Sequence, residues 1–311
     1  MYIKDMLKMK LKSLIAIACG IVITLFFVAA CKNGSPANDK GVQPPAPKVD
    51  SNNATLLKIN NQIFSIPSPI QTALLVKKSG YAYNKQMLNA SENYSKYDTK
   101  YKKALNLGIY GADLGYISLY DQTQDALLYL ASIEKLATDI GVADVFNAPL
   151  VKRFQQNMGK QDSMLAMVSE AFAKSDAYFK NNKQNDLSSL VLVGGWIESL
   201  YFAVEASNNT QGNQKDIIRR IAEQKISLQN MIKMLQPYTS KGPEYGQLIK
   251  QLSDLSDIFE NVEFVYNYIP PTVDAKTRTT TINSTSDVKI ENSILKEISD
   301  KIVALRNQIA G

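Results

Sequence analysis

Two acidic side chains lie inside strongly apolar stretches of the sequence, and they are the residues best suited to acid–base chemistry. Asp113 lies in LNLGIYGADLGY (105–116), and Glu198 lies in LVLVGGWIESLY (190–201). Glu205 follows Glu198 by seven residues, which is two turns along one side of a helix. Because paired carboxylates roughly 5–10 Å apart cleave glycosidic bonds, a carboxylate-dependent hydrolase of envelope or carbohydrate substrates is one hypothesis.

Composition excludes many other chemistries. The chain has no histidine, which removes Ser-His-Asp and Cys-His catalysis and histidine-ligated zinc or copper. Its formal net charge of +6 includes +3 from residues 1–12, and arginine is scarce, so no nucleic-acid partner is expected. We predict no catalytic residue, no cofactor and no metal ion, although a calcium site built from oxygen ligands stays compatible with the composition.

Three glycines surround Asp113 at helical spacing. Gly108, Gly111 and Gly115 are three and four residues apart, so they share one helix face. Glycine in a helix costs roughly 0.5–1 kcal/mol relative to alanine, so this face is expected to meet another backbone or a ligand closely. If the neighbour is a helix, Asp113 serves the structure and pairs with a nearby donor.

The second apolar stretch contains the only tryptophan. Trp196 is suited to act as a stacking platform and Glu198 as a polar hook in a pocket. The structural alternative is that Gly194 and Gly195 admit a crossing helix, Trp196 fills the core, and Glu198 bonds a tyrosine or lysine. The predicted ligand or partner contacts are Asp113, Tyr116, Trp196, Glu198 and Glu205.

The N-terminal residues have the three zones of a secretory signal. Residues 1–12 are basic, residues 13–28 are almost wholly apolar, and two alanines precede Cys31. Val28-Ala29-Ala30-Cys31 resembles the lipobox of bacterial lipoproteins. That resemblance implies that the signal peptide spans 1–30 and that Cys31 is the acylated first residue of the mature chain. The alternative is an uncleaved helical anchor, since the apolar run is close to the minimum length of a membrane span.

Residues 31–54 predict a disordered tether and indicate the membrane to which the protein is sorted. This segment is rich in proline and poor in large apolar side chains, so it cannot bury enough surface to offset its ordering entropy. Lys32 leaves no acidic residue beside the lipid site, which by resemblance to lipoprotein sorting favours the outer membrane, facing the periplasm or the exterior. The N-terminal lipid is therefore expected to insert into a membrane, which makes the membrane one partner of the chain.

Residues 55–311 have the pattern of a single all-α domain, an antiparallel helical bundle. A minor β-hairpin is predicted from residues 55–66 and 277–283, because the first segment alternates and the second is threonine-rich. The helix of residues 186–202 is apolar nearly all round and is expected at the centre. Helices are predicted over about 69–79, 98–116, 121–140, 149–158, 162–179, 186–202, 213–236, 243–268 and 290–309.

The two glycine-bearing stretches, GIYGADLGY and GGWIESLY, resemble segments of a family of uncharacterised all-helical bacterial lipoproteins. The resemblance implies an exported helical domain and brings no catalytic residues. The favoured hypothesis is therefore an envelope lipoprotein whose helical domain binds or scaffolds an envelope protein or a small ligand. The carboxylate-dependent hydrolase is the alternative.

Overall fold

A computed structural model of the chain describes residues 68–157, 159–209 and 214–311, together with the backbone of residues 55–59 and 62–66. The predicted signal peptide, Cys31 and the tether lie outside the described residues. The prediction of an all-α helical bundle with a minor hairpin is confirmed. The helices of the described part are α1 (Pro69–Lys78), α2 (Lys100–Leu119), α3 (Thr123–Ile140), α4 (Ala148–Gln156), α5 (Gln161–Asn181), α6 (Asn185–Asn209), α7 (Gln214–Ala222), α8 (Gln224–Leu235), α9 (Pro243–Phe259) and α10 (Asn292–Ala310), with short 3₁₀ turns at Lys85–Met87, Ser91–Lys96 and Gln236–Lys241.

Local signals in the sequence explain several helix ends. Thr99 begins α2, because its hydroxyl accepts the backbone N–H of Lys102 at 3.2 Å. Asn147 caps α4 in the same way. Gly141 ends α3 in the left-handed conformation, with a φ of 91° that few other residues adopt without strain.

Helices α2 and α6 form the centre of the bundle and pack along each other. Every residue of α2 from Ala104 to Leu119 is buried. Helix α6 is apolar enough over residues 185–208 to cross a membrane by length and composition, but 94% of its most apolar window is buried inside the protein. It therefore serves as the core helix of the bundle, as its all-round apolar pattern predicts.

The strands form three antiparallel pairs among the described residues. They are β1 (Thr55–Ile59) with β2 (Gln62–Ile66), β3 (Glu263–Asn267) with β6 (Thr285–Lys289), and β4 (Thr272–Asp274) with β5 (Thr279–Thr281).

Two predictions, the pairing of one strand and the end of one helix, are corrected. The threonine-rich segment does form a strand, β5, but it pairs with β4 rather than with residues 55–66, whose two strands pair with each other. The helix predicted to run to residue 268 ends at Phe259, and residues 263–267 form β3. The β-branched and aromatic residues of EFVYN favour a strand, and an antiparallel neighbour close in sequence forms with little loop entropy.

Residues 263–289 therefore form one long hairpin, here called the β-arm. Strands β3 and β6 form its base and β4 and β5 its tip. Between them, the Ser284 hydroxyl bonds the backbone of Ile269, and the Asn283 amide donates to the Pro270 carbonyl at 2.9 Å. The β-arm is exposed along nearly its whole length.

Candidate functional site

Asp113 and Glu198 come together in the centre of the bundle, on α2 and α6, and both are 0% exposed. The glycines around them make this approach feasible. A Cβ on Gly108 would lie 2.0 Å from the Val191 carbonyl oxygen, and one on Gly194 would lie 1.9 Å from the Leu105 carbonyl oxygen. The two backbones therefore touch, as the glycine spacing predicts.

The other two glycines of the α2 face meet side chains. A Cβ on Gly111 would lie 1.8 Å from Phe172 Cζ, and one on Gly115 would lie 3.2 Å from Ile70 Cγ1. Of the two neighbours considered for this face, a helix or a ligand, the structure places helices there. Asp113 is therefore surrounded by protein atoms.

The partner of Glu198 is Arg306 of α10. The guanidinium donates to both carboxylate oxygens, from Nε and from Nη2, at 2.9 Å each. Nη2 also donates to the Met87 carbonyl at 3.0 Å, and the guanidinium carbon lies 4.8 Å from the centre of the Tyr201 ring. This bidentate geometry is the strong form of an Arg–carboxylate pair.

Electrostatics fix the charge of Arg306. Burial opposes the charged form, but the Glu198 carboxylate outweighs it, and the pKa of Arg306 lies above its ordinary value. An ion pair in the low dielectric of a core is costly to desolvate, and it is retained only when its hydrogen bonds are well formed. The Glu198–Arg306 pair meets that requirement with three hydrogen bonds.

Asp113 has a different charge state. Its Oδ2 accepts the Asn89 N–H at 3.3 Å, whereas the buried Oδ1 has no hydrogen-bond partner among the described residues. Burial, followed by the negative charge of Glu198, raises the pKa of Asp113 well above its ordinary value, while Arg306 opposes the shift. Protonation resolves the mismatch, because neutral Asp113 can donate to Glu198. The cluster is thus one ion pair beside one acid whose pKa is raised, which favours its protonated form.

A polar network extends from this cluster to the C-terminus. The Asn89 amide donates to the Tyr97 hydroxyl at 2.8 Å and to Asn106 Oδ1 at 3.2 Å. Tyr97 in turn donates to the Ala310 carbonyl at 3.0 Å, and Asn106 donates to the Ile309 carbonyl at 3.0 Å. These bonds satisfy the last carbonyls of α10 and lock that helix onto α2. We call Asp113, Glu198, Arg306, Asn89, Asn106 and Tyr97 the core cluster.

The remaining predicted contacts are placed separately. Trp196 is 1% exposed, and its indole N–H donates to Gln224 Oε1 at 2.9 Å, so its ring is part of the core. Tyr116 is 0% exposed, and its hydroxyl accepts the Asn84 N–H at 3.0 Å. Glu205 is partly exposed on α6, near Tyr201, whose pKa is raised to about 12, first by burial and also by Glu205.

Sequence reasoning identified both carboxylates but missed Arg306. A signal was present, because Arg306 follows Ile298 and Ile302 at four-residue spacing and so continues the apolar stripe of the last helix. A lone cation in such a stripe predicts a buried counter-charge. Glu198 was expected to bond a tyrosine or lysine, and the observed partner is an arginine.

The β-arm is the second unusual region, and most of its apolar side chains face solvent, whereas Val288 at its base is partly buried against the core. Phe264 is 43% exposed, Tyr266 65% and Tyr268 64%. Phe264 and Tyr266 share one face of β3, and Tyr268 continues the same alternation one residue past the end of the strand. The register places Val288 opposite Phe264 and Ser286 opposite Tyr266, so that face carries no charge. On the other face, Arg219 of α7 binds Asp287 at 3.4 Å.

Comparison with known proteins gives no relative for this arrangement: no family model, no curated protein and no solved structure matches the chain. Within the described residues, no three acidic side chains lie close enough together to hold a metal ion.

Proposed function

We propose that the chain is a lipid-anchored protein of the cell envelope whose helical domain binds or scaffolds an envelope protein through the β-arm. In this proposal residues 1–30 direct export, Cys31 carries acyl chains, and residues 31–54 tether the domain to a membrane, the outer membrane being favoured. The support for the anchor is the order of the zones in the sequence: basic, apolar, small residues, cysteine.

The observation that carries the binding role is the exposed face of the β-arm. Aromatic side chains are enriched at protein interfaces and are costly to leave in water. Here three lie side by side on an exposed hairpin, with Val273 (68% exposed) and Ile282 (78% exposed) further along it. An exposed apolar patch of this kind marks an interaction site.

The environment of the carboxylates supports the same conclusion. A hydrolase needs an acid and a base that reach substrate, but Asp113 and Glu198 are 0% exposed. Arg306 already occupies both oxygens of Glu198. The core cluster therefore favours a structural role, and a binding or scaffolding function is better supported than hydrolysis.

Metabolic labelling tests the anchor. Cells expressing the full chain are grown with radioactive palmitate, alongside cells expressing the Cys31→Ser variant. We expect label on the parent chain and none on the variant, since the variant lacks the acceptor thiol. An unlabelled parent chain recovered in the soluble fraction would contradict the anchor.

Photocrosslinking tests the binding surface. A photoreactive amino acid replaces Tyr268 on the β-arm or, as the control, Leu128 on α3, which is 51% exposed. We expect irradiation of intact cells to give discrete crosslinked products from position 268 and none from position 128. The same products from both positions would show that the β-arm has no special role.

A further inference from the structure

Strand β3 has an open edge. Among the described residues its only strand neighbour is β6, and all five of its residues are exposed. Strand β6, by contrast, is held on the bundle side through Asp287, which also pairs with Lys215 at 3.6 Å. An open strand edge presents unpaired N–H and C=O groups to any other strand.

The features that normally protect such an edge are missing from β3. It contains no lysine and no proline, and its one charge, Glu263, stands at its first position. A two-stranded hairpin is marginally stable alone, and further strands on an apolar face stabilise it. Both features favour the addition of another strand to β3.

The sequence sets the length of the open edge. Pairing can begin at Glu263, and it must stop before Pro270 and Pro271, which have no N–H to donate. The usable edge is thus residues 263–269, and its midpoint is Tyr266. A strand paired antiparallel with a copy of itself over this whole length has its two-fold axis at that residue.

In that register, the aromatic side chains of one copy lie opposite aromatic side chains of the other. Tyr266 would lie opposite its own copy, and Phe264 opposite Tyr268 of the second copy, so every aromatic has an aromatic neighbour. The two Glu263 side chains would lie at opposite ends and would not repel each other. The register therefore brings no like charges together, and the edge of β3 is complementary to a second copy of itself.

From this geometry we propose that β3 pairs antiparallel with β3 of a second copy of the chain, centred on Tyr266, to form a four-stranded sheet. The proposal rests on the β-arm being the binding surface and names its partner. A shared membrane raises the effective concentration of copies, which offsets the small size of a seven-residue edge, about 24 Å long.

Disulfide trapping tests the register. The full chain keeps Cys31, whose thiol is acylated in the proposed function, and carries Cys19→Ser together with Tyr266→Cys or the control Val273→Cys, so that the introduced cysteine supplies the free thiol. Facing residues of an antiparallel pair lie about 4.5–5.5 Å apart at Cα, within disulfide range. Two copies of residue 273 would lie about 48 Å apart, although positions 266 and 273 are similarly exposed.

After mild oxidation in the envelope fraction, we expect a disulfide-linked dimer from position 266 and almost none from position 273. Native mass spectrometry of the parent chain in detergent should give a dimer that Tyr266→Lys abolishes, because two lysines would then face each other. Equal trapping at both positions, or none at either, overturns the self-pairing. If trapping fails while position 268 still crosslinks another polypeptide, the β-arm remains the binding surface and only the partner is wrong.

Discussion

In most proteins charged side chains are exposed and aromatic side chains are buried. The core cluster and the β-arm both reverse this distribution. The core cluster holds an ion pair and an acid at 0–8% exposure, whereas the β-arm holds aromatics at 43–65% exposure. Buried charges are tolerated when every group has a partner, and exposed aromatics are informative when they are contiguous. The comparison teaches that the residues with the most reactive chemistry are packed in the core of this fold, while the proposed contact surface consists of exposed aromatic residues.

Removing Arg306 should have the largest effect, because it would leave Glu198 charged and unpaired in the core. We expect Arg306→Met to lower the free energy of unfolding by about 3–5 kcal/mol, measured by urea denaturation. The matched control is Arg278→Met on the exposed tip of the β-arm, which should change it by less than about 0.5 kcal/mol. Similar small changes in both variants would mean that the ion pair is dispensable.

Substitution of glycines separates close packing from intrinsic helix preference. We expect Gly108→Ala to cost about 1–3 kcal/mol, since the added Cβ would meet the backbone of α6. Gly246→Ala in the exposed part of α9, where nothing lies within 4 Å, should instead stabilise by about 0.5–1 kcal/mol. Chemical denaturation of both variants gives the two values, and the same sign in both would contradict the packing.

The charge state of Asp113 predicts a pH dependence. Because burial and then Glu198 raise its folded pKa, its contribution to stability is full in acid and is lost as pH rises through that pKa. Above the ordinary pKa of 3.8, we expect stability to fall more steeply with pH in the parent chain than in Asp113→Asn, by at most about 1.4 kcal/mol per pH unit.

The control for that comparison is Asp98→Asn, which has the opposite sign. A hydrogen bond from Lys102 lowers the pKa of the exposed Asp98, so its contribution is present above its unfolded pKa and lost as pH falls through its folded pKa. Unfolding curves of the three proteins across a pH series measure both effects. Parallel curves for the parent and Asp113→Asn would mean that Asp113 is ionised in the folded state.

The β-arm should give the smallest change in stability. We expect Phe264→Ser, Tyr266→Ser and Tyr268→Ser to alter the free energy of unfolding by no more than about 0.5 kcal/mol each, since all three side chains are exposed. Thermal unfolding followed by circular dichroism measures this. A large loss would mean that the aromatic face packs on the rest of the protein.

Periodicity and glycine spacing predicted most of the fold, and the acidic residues in apolar stretches predicted two of the six residues of the core cluster, Asp113 and Glu198. Gly108 and Gly194 each predicted a close neighbour, and the structure shows that the backbones of α2 and α6 are each other's neighbour. Arg306 and Asn89 were missed, since they reach Glu198 and Asp113 from distant parts of the chain. The apolar stripe of the last helix marks Arg306 as buried, but it does not say which carboxylate it meets. Strand β3 of the β-arm was missed because five residues such as EFVYN fit the end of a helix as well as a strand.

The central claim is that the β-arm binds and the core cluster only supports it. Crosslinking of intact envelopes with a lysine-reactive reagent tests it in two variants, the triple serine variant of the β-arm and Asp113→Asn. We predict that the products of the parent chain disappear in the β-arm variant, whose unfolding temperature is unchanged, and persist in Asp113→Asn. Products that persist without the aromatics, or that are lost when the core acid alone is replaced, would contradict the account.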